Sequence, residues 1–546
     1  MTQFNIRQAI RLRTVLLLLI LTGFVGLADL AAFSTRAARI PILPKWSRFE
    51  ESFRSRVDYE NPLQDCTLTV TFISPTDETN VIYGFWDGGK TWRVRFRPGQ
   101  AGHWKFHTSC SDPANRGLHN KAGEFLCSAP VGTNRFSEHG AIELARDHRY
   151  FEHQDGTPFF WLADSVWNGA RLSDPNDWNR YAKIRANQQF TAAQWSVAPG
   201  ADSEGEIAFS GKNKMVPNTE FFRRLDSKIE MLNRAGLLSV IAPFWNSDSA
   251  TLESTSEDQM NLLVRYLVAR WGAYHVAWLV NGQGAAAQHL AIWNWIGQNA
   301  FAGNSRAPVI LFVGKQFPDS KELRHQAWFD AVGFDGAITP DELRELSSSF
   351  PNARPLIQIA SPSENKLAPQ TEERINDADI RDDLWKNLLT VRPAGTSYSS
   401  DAVANWNSTV NTNTPGDLPL WLKSLFLPGA KQMANIARLF TSVPFWELHP
   451  APELVVADSD TNSLARPISA AQTADQKLGV FYLPEKRTLE LSLKALPRSP
   501  ALTWLNPRTG ETNRSVAVMG PSSVKFPAPS SEDWVLLIQE TSKEPK

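Results

Sequence analysis

The stretch NTEFFRRLDSKIEMLNRAGLLSVIAPF, residues 218–244, contains one complete helix-to-strand unit. Asn218 is a good N-terminal cap, and apolar residues recur every three or four positions between 222 and 232, which predicts one buried helical face. Gly236 is expected to end the helix, because glycine readily adopts the left-handed conformation that follows a helix. The apolar run 238–244 then predicts a buried strand.

The same alternation continues on both sides of this unit. Ser254 and Glu257 fit a capping box, and an apolar stripe over residues 260–271 predicts the next helix. Eight short apolar or mixed runs alternate with helical stretches, which predicts a closed (β/α)8 barrel, or TIM barrel, for residues 136–450. The predicted strands are residues 159–163, 190–195, 238–244, 276–280, 309–313, 331–334, 356–359 and 395–398.

Two segments with a β pattern flank the predicted barrel. Residues 45–132 and 453–540 contain short alternating runs that are separated by Pro, Gly and Asp turns. A chain of 546 residues is also too long for one ordinary core. We therefore predict a multidomain protein, in which a central TIM barrel lies between an N-terminal and a C-terminal β-sandwich domain.

The first 38 residues have the pattern of a targeting segment. Arg7, Arg11 and Arg13 precede the apolar run 15–28, and small residues follow it. The run is shorter than the ~20 apolar residues that span a bilayer, which favours a secretory signal peptide over the alternative of an uncleaved membrane anchor. The sequence thus predicts a secreted or periplasmic protein, with membrane anchoring as the second possibility.

Composition excludes several classes of function. The formal net charge is −1 and there is no long basic run, so no nucleic-acid partner is expected. The chain has neither a glycine-rich phosphate loop nor a Cys/His spacing typical of zinc sites, so no cofactor and no metal is predicted. The 20 tryptophans fit Trp-rich β cores, and some of them could line a sugar-binding cleft.

The three cysteines suggest one disulfide. Export would permit a disulfide, and Cys110 and Cys127 flank a polar loop that a bond between them would close. Cys66 falls on the apolar face of an alternating run, which predicts an inert core thiol.

In a barrel of this kind, function lies at the C-terminal ends of the strands. The residues that end or directly follow each predicted strand are therefore the candidates for a functional site. Aromatic rings stack on sugar rings while amides and carboxylates bind hydroxyls, so the mixture found there predicts a carbohydrate ligand. The catalytic candidates are Glu364 and Asp164; the substrate-binding candidates are Trp167, Trp195, Trp245, Asn246, Gln283, Asp335, Tyr398 and Trp406.

Structural roles are the alternative for several of these residues. Asp164 could instead cap a helix or pair with an arginine, and Glu364 could be an ordinary loop glutamate. Trp167, Trp245 and Trp406 fit a core position as well as a cleft position.

Several stretches of the chain match one known family, namely GFWDG at 84–88, VRFRP at 94–98, FFWLADSVW at 159–167, RWGA at 270–273, FWELHP at 445–450 and WLNPRTG at 504–510. On these stretches the chain resembles the apiosidase-like glycoside hydrolases, which are secreted bacterial enzymes of plant-polysaccharide breakdown. The resemblance covers nearly all of the chain after residue 45 and implies the same three modules, the last named in that family for collagen binding.

Two departures bear on catalysis. The family's strand four ends in two glycines and an acidic residue that is expected to act in catalysis, whereas this chain has VNGQ at 280–283, so Gln283 replaces the acid. At strand seven the family has a glutamate, a short spacer and Tyr-Glu, whereas this chain has Ala360 and then Ser363-Glu364. Glutamine cannot exchange a proton near neutral pH, and glycoside cleavage usually needs two carboxylates.

Three hypotheses follow. The first is a secreted glycoside hydrolase with a rearranged carboxylate pair, which uses Glu364 and Asp164 or acids relocated to Asp248, Asp335 or Asp401. The second is a non-catalytic carbohydrate-binding protein on a degenerate hydrolase barrel. The third is an extracellular adhesion protein that works through its flanking sandwiches. The sequence leaves the oligomeric state open.

Overall fold

The structure is a computed structural model that describes residues 40–211, 215–245, 256–281, 290–301, 307–314, 321–350, 352–368, 372–410, 416–456 and 466–541. The predicted targeting segment 1–38 and the candidates Asn246, Asp248 and Gln283 lie outside these ranges. Within them, no helix has both the length and the apolarity that crossing a bilayer requires.

The N-terminal module consists of two sheets around one core. A five-stranded sheet has the order β1-β8-β7-β3-β4, and a three-stranded sheet has the order β2-β6-β5. In β7 the residues alternate, so that Trp104 and Phe106 face the core while their neighbours face solvent. The elements are β1 (Ile42–Pro44), β2 (Phe49–Arg54), α1 (Pro62–Asp65), β3 (Leu68–Ile73), β4 (Thr79–Tyr83), β5 (Phe85–Trp86), β6 (Thr91–Phe96), β7 (Gly102–Cys110) and β8 (Ala122–Ser128).

The cysteine pairing that was predicted from the sequence is wrong. Cys66, Cys110 and Cys127 are all buried and free. Cys127 lies opposite Gly102 in the ladder between β7 and β8, eight residues along β7 from Cys110. At about 3.3 Å per strand residue the two cysteines are roughly 26 Å apart. The nearest thiol to Cys110 belongs instead to Cys66, with the two Sγ atoms 3.4 Å apart.

A short helix and a small antiparallel sheet precede the barrel. The helix is α2 (Arg135–His139), and the strands, which we call the closing sheet, are β9 (Ile142–Leu144), β10 (Phe151–His153) and β11 (Pro158–Phe159). Phe136, Phe151 and Phe159 from these elements pack against Trp161 at the base of the barrel interior. They close the amino-terminal end of the barrel.

The centre of the molecule is a curled parallel sheet whose eight long strands alternate with helices, and the predicted TIM-barrel class is confirmed. The last two long strands of the sheet approach each other and close the barrel, since the hydroxyl of Ser397 donates to the carbonyl of Ile359 at 2.7 Å. The strands are β12 (Trp161–Ser165), β13 (Ala192–Ala198), β16 (Leu238–Phe244), β17 (Val276–Asn281), β18 (Val309–Phe312), β19 (Ala331–Asp335), β20 (Leu356–Ala360) and β22 (Gly395–Ser400); the short strands are β14 (Phe209–Ser210), β15 (Val216–Pro217) and β21 (Ser363–Glu364).

Each predicted run overlaps one of these strands. The first strand begins two residues later than predicted, because Phe159 belongs to the closing sheet and pairs with Phe151. The third strand has the predicted bounds.

Helices surround the sheet. Asn218 caps α5 as predicted and accepts hydrogen bonds from the amides of Glu220 and Phe221. Ser256 caps α6, so the predicted cap at Ser254 is wrong by two residues. The helices are α3 (Gly169–Leu172), α4 (Pro175–Asn187), α5 (Thr219–Arg234), α6 (Glu257–Trp271), α7 (Leu290–Ile296), α8 (Lys321–Arg324), α9 (Pro340–Ser348), α10 (Asp377–Thr390), α11 (Asp401–Ala404), α12 (Leu420–Ser424) and α13 (Pro428–Ser442).

The C-terminal module also has two sheets around one core. Their strand orders are β23-β24-β25-β31-β27-β28 and β26-β30-β29. The strands are β23 (Leu448–Pro450), β24 (Ser469–Thr473), β25 (Leu478–Leu483), β26 (Thr488–Ser492), β27 (Pro500–Leu505), β28 (Thr512–Arg514), β29 (Val518–Met519), β30 (Ser523–Pro527) and β31 (Trp534–Glu540).

Buried charges join each flanking module to the barrel. In the N-terminal module, Arg95 donates to Asp226 of α5 at 2.8 Å, and Arg270 of α6 donates to Asp226 at 2.8 Å. In the C-terminal module, Asp533 accepts a hydrogen bond from Arg381 of α10 at 2.8 Å. These groups are largely desolvated, so separating a module from the barrel would leave buried charges without their partners.

Candidate functional site

Two stacked tryptophans lie at the carboxyl-terminal end of the barrel. Trp167 follows β12 and Trp245 follows β16; their ring centroids are 4.0 Å apart and their planes differ by 10°. Trp245 also lies 5.1 Å from Phe312 of β18 and is 8% exposed, while Trp167 is half-buried. The carbonyl of Trp167 accepts hydrogen bonds from the amide and the hydroxyl of Ser196, both at 3.0 Å. These contacts fix an aromatic pair at the carboxyl-terminal end of the barrel, which we call the mouth, and part of Trp167 is open to solvent.

A glutamine crosses the barrel below this pair. Nε2 of Gln194 donates to Oγ of Ser165 at 2.7 Å and to the carbonyl of Ile359, on the far side of the barrel, at 2.6 Å. Its Oε1 is buried and has no hydrogen-bond partner among the described residues. The carboxamide of Gln194 is therefore enclosed inside the barrel.

The sequence prediction missed Gln194 and selected its neighbour Trp195. The strand AAQWS at 192–196 alternates, and the polar residues Gln194 and Ser196 fall on the inner face. Trp195 faces the helices, where its Nε1 donates to Ser239 at 2.8 Å and its ring lies 6.0 Å from that of Trp271. A polar residue on one face of an otherwise buried strand was the signal that could have identified Gln194.

Trp406 is also placed in a core. It is 4% exposed and stacks on Trp421, with ring centroids 4.3 Å apart. Trp178 and Tyr181 of α4 pack against it. Of the alternatives considered for the tryptophans, the core position applies to Trp406.

Asp164 is a buried partner of an arginine. Its Oδ2 accepts from Nε of Arg185 at 2.7 Å and from the hydroxyl of Tyr181 at 2.8 Å, and its side chain has no exposure. Burial raises the pKa of Asp164, and the charge of Arg185 opposes that rise. The side chain of Asp164 faces the helices. This contradicts the predicted catalytic role and supports the alternative that Asp164 pairs with an arginine.

Glu364 has a similar environment. Its Oε2 accepts from the hydroxyl of Tyr398 at 2.5 Å, and its Oε1 accepts from the amide of Gly429, in the first turn of α13, at 3.2 Å. Only 3% of the residue is exposed, and burial raises the pKa of its carboxyl. Glu364 and Tyr398 thus lie behind the sheet, where a ligand in the mouth cannot reach them, and their predicted catalytic and binding roles are corrected.

The two carboxylates belong to one buried cluster. Arg185 connects them, because it pairs with Asp164 and its guanidinium carbon lies 5.5 Å from the ring centroid of Tyr398. The cluster joins β12, β21 and β22 to α4 and consists of Asp164, Tyr181, Arg185, Glu364 and Tyr398.

Two half-buried carboxylates remain near the mouth. Asp335 ends β19 and accepts from the amide of Ala337 at 2.9 Å, and Asp401 begins α11 directly after β22. Within the described ranges, no group of three His, Cys, Asp or Glu side chains is arranged to hold a metal ion.

The site can be compared with known families. A family model described as "Apiosidase-like, catalytic domain" matches residues 145–447, more than half of the chain. A "Domain of unknown function (DUF5060)" matches residues 42–111, and a "Putative collagen-binding domain of a collagenase" matches residues 450–539. No curated protein matches the chain.

Solved structures share the fold. A "putative glycoside hydrolase" from Bacteroides vulgatus ATCC 8482 is 18% identical, with a TM-score of 0.69 over 92% of this chain and 100% of that chain. A glycoside hydrolase family 5 protein from the same organism is 16% identical, with a TM-score of 0.65 over 76% of this chain and 95% of that chain. At these identities the likeness shows the fold alone.

Proposed function

On the premise that this chain belongs to the apiosidase-like family of glycoside hydrolase domains, we propose that its barrel binds a polysaccharide at the mouth without cutting it. Family membership implies a carbohydrate ligand. The proposal rests on one observation, the stack of Trp167 on Trp245 at the carboxyl ends of the strands.

The stack suits a sugar ring. Trp245, which itself packs on Phe312, covers one side of Trp167, so the partly open indole needs no rearrangement to receive the apolar C–H face of a pyranose or furanose. Asp335 is half-buried at the end of β19, at the same end of the barrel, and its carboxylate can accept hydrogen bonds from sugar hydroxyls.

The carboxylates argue against hydrolysis. Cleavage usually needs two carboxylates roughly 5–10 Å apart on either side of the bond. Asp164 and Glu364 are both occupied by buried partners, and Gln283 stands where the resemblance places the family's acid. Binding through aromatic rings and contacts with hydroxyls does not require a pair of catalytic carboxylates.

The test is binding to plant and microbial polysaccharides by affinity electrophoresis and titration calorimetry. We expect Trp167→Ala to weaken binding about tenfold or more, since a stacked aromatic contributes on the order of 1–3 kcal/mol. Trp86→Ala is the matched control, because Trp86 is also half-buried but lies in the N-terminal module. The proposal fails if no polysaccharide is retained, or if both variants bind equally well.

Hydrolysis by a relocated acid is the second candidate. It is favoured by Asp335 and Asp401, which are partly exposed at the ends of β19 and β22. Turnover of aryl glycosides or pectic oligosaccharides that is lost in Asp335→Asn or Asp401→Asn would establish it. The absence of turnover across the panel would remove it.

We also propose that segment 1–38 directs export. The support is its positive start, its short apolar run and the small residues after it. Fractionation of cells that express the full chain should place the protein outside the cytoplasm, and the N-terminal sequence of the product shows whether the segment is cleaved. Retention of the full-length chain in the cytoplasm would refute export.

A further inference from the structure

A large cavity lies at the amino-terminal end of the barrel, opposite the mouth. Its volume is about 1110 Å³. The closing sheet and the turns that connect its strands form one wall, Arg392 before β22 contributes a second, and the C-terminal module contributes the third. The cavity is separate from the mouth, because the closing sheet and the filled barrel interior lie between them.

Part of the cavity lining, which we call the aromatic wall, consists of one ring from a turn of the closing sheet and one ring that lies just before β23. Tyr150 and Trp446 stack with their ring centroids 5.6 Å apart and their planes 27° apart, and both are half-buried. Phe445 is buried behind them and meets Tyr150 and Trp446 edge-on, at 6.1 and 5.3 Å. The rings are therefore held in place and only partly covered, as at the mouth.

Arginines lie beside the aromatic wall. Arg392 is half-buried and forms no ion pair with any described residue. Burial lowers the pKa of Arg392, the nearby charge of Arg149 lowers it further, and Asp147 opposes this. The contact of Arg149 with Asp147 is long, at 3.9 Å, and solvent-exposed. The guanidinium groups of Arg149 and Arg392 line the same cavity and repel each other, which favours an anion between them.

Carboxylates in the same cavity lining limit what that anion can be. Acidic residues outnumber arginines in the lining, which disfavours nucleic acids and densely charged polymers. Carboxylates do accept hydrogen bonds from sugar hydroxyls. The acidic lining residues are Glu143, Asp147, Glu152, Asp155, Glu447 and Asp475.

We propose that this cavity is a second saccharide site, which takes an anionic sugar residue of a polysaccharide. The sugar ring packs on Trp446 and Tyr150, and its carboxylate or sulfate group lies between Arg149 and Arg392. This site is independent of the mouth and does not require the function proposed for it.

The experiment uses the full chain and, in parallel, the Trp167→Ala variant, which removes the proposed mouth contact. Titration calorimetry compares an oligogalacturonate, its neutral methyl ester and a sulfated oligosaccharide of similar length. The uronate and the sulfated probe distinguish the two possible anions. We expect at least one anionic probe to bind both proteins, and the methyl ester to bind at least tenfold more weakly.

Variants then locate the binding. The double substitution Arg149→Gln, Arg392→Gln should weaken binding of the anionic probe about 10- to 100-fold, with an unchanged melting temperature. The matched control is Arg116→Gln, since Arg116 is exposed in the N-terminal module. Trp446→Phe keeps an aromatic surface and should lose less affinity than Trp446→Ala.

Three results would overturn the proposal. They are no binding of either anionic probe, equal binding of the methyl ester, and binding that disappears with Trp167→Ala but persists in the double arginine variant. The last result would assign the anionic sugar to the mouth, and so would leave the proposed function standing.

Discussion

Nε of Arg185 lies 2.7 Å from Oδ2 of Asp164, and neither side chain is exposed. The pair links β12, the first barrel strand, to α4. Asp164 is one of the two carboxylates that the sequence suggests for catalysis, so its geometry decides between a chemical and a structural role. The structure assigns it the structural role.

Asp164→Ala should therefore destabilise the fold. Removal of the carboxylate leaves Arg185 buried and uncompensated, which typically costs about 3–5 kcal/mol. Urea unfolding measures the loss in free energy of unfolding. Asp341→Ala is the control, because Asp341 is 94% exposed in its pair with Arg344 and should change stability by less than about 1 kcal/mol. A stable Asp164→Ala protein would show that the pair contributes little.

Glu364 should make stability decline as the pH rises. Burial raises the pKa of its carboxyl above the ordinary value of 4.5, while the hydrogen bond from Tyr398 opposes the rise. The folded state then holds the proton more tightly than the unfolded chain. The contribution of this group is complete below about pH 4.5 and is lost as the pH rises through the folded pKa.

Glu364→Gln removes that titration. Urea unfolding over about pH 4 to 8 should show the native protein losing stability relative to the variant as the pH rises. Glu345→Gln, at an exposed position of α9, should follow the native curve. Parallel curves for native protein and Glu364→Gln would contradict the raised pKa.

Asp226 should hold the N-terminal module on the barrel. Both Arg95 and Arg270 donate to its Oδ2 at 2.8 Å, and Trp271 donates to its Oδ1 at 2.6 Å. Asp226→Ala leaves two buried guanidinium groups without this partner. We expect the free energy of unfolding to fall by about 3–5 kcal/mol, and proteolysis between the modules to become faster. Glu230→Ala on the same helix removes only exposed pairs and is the control.

The cysteines give a prediction on oxidative refolding. With oxidised glutathione present, we expect a bond between Cys66 and Cys110, whose Sγ atoms are 3.4 Å apart. Two thiols are oxidised to one disulfide, and the glutathione disulfide is reduced to two thiols. In the folded protein burial raises the pKa of Cys66 to about 12, so little thiolate is present and oxidation should be slow without unfolding. Peptide mapping by mass spectrometry identifies the bond, and a Cys110–Cys127 peptide would contradict the geometry.

The sequence predicts the barrel well because its signals are local. The helix cap at Asn218 and the strand Leu238–Phe244 depend on neighbours within a few residues, and both occur as predicted. The shift of the first strand has a non-local cause, since the closing sheet takes Phe159.

The site is harder to predict because it depends on which face of a strand each side chain takes. A shift of one residue moves a side chain from the barrel interior to the helical layer. Asp164 and Trp195 lie near the strand ends, as expected, yet both face outward, while Gln194 faces inward. Cysteine pairing likewise needs the register of β7 and β8, which spacing along the chain does not contain.

The closing sheet has a mechanical consequence. Phe151 and Phe159 close the amino-terminal end of the barrel, so the described residues leave no tunnel through which a polymer could thread from one end of the barrel to the other. A polysaccharide chain that is bound at the mouth must therefore enter and leave from the side. A polysaccharide bound in the cavity at the amino-terminal end must be a second chain or a distant part of the same chain. A molecule occupied at both ends would act as a crosslink, and would stiffen a hydrated polysaccharide network rather than travel along it.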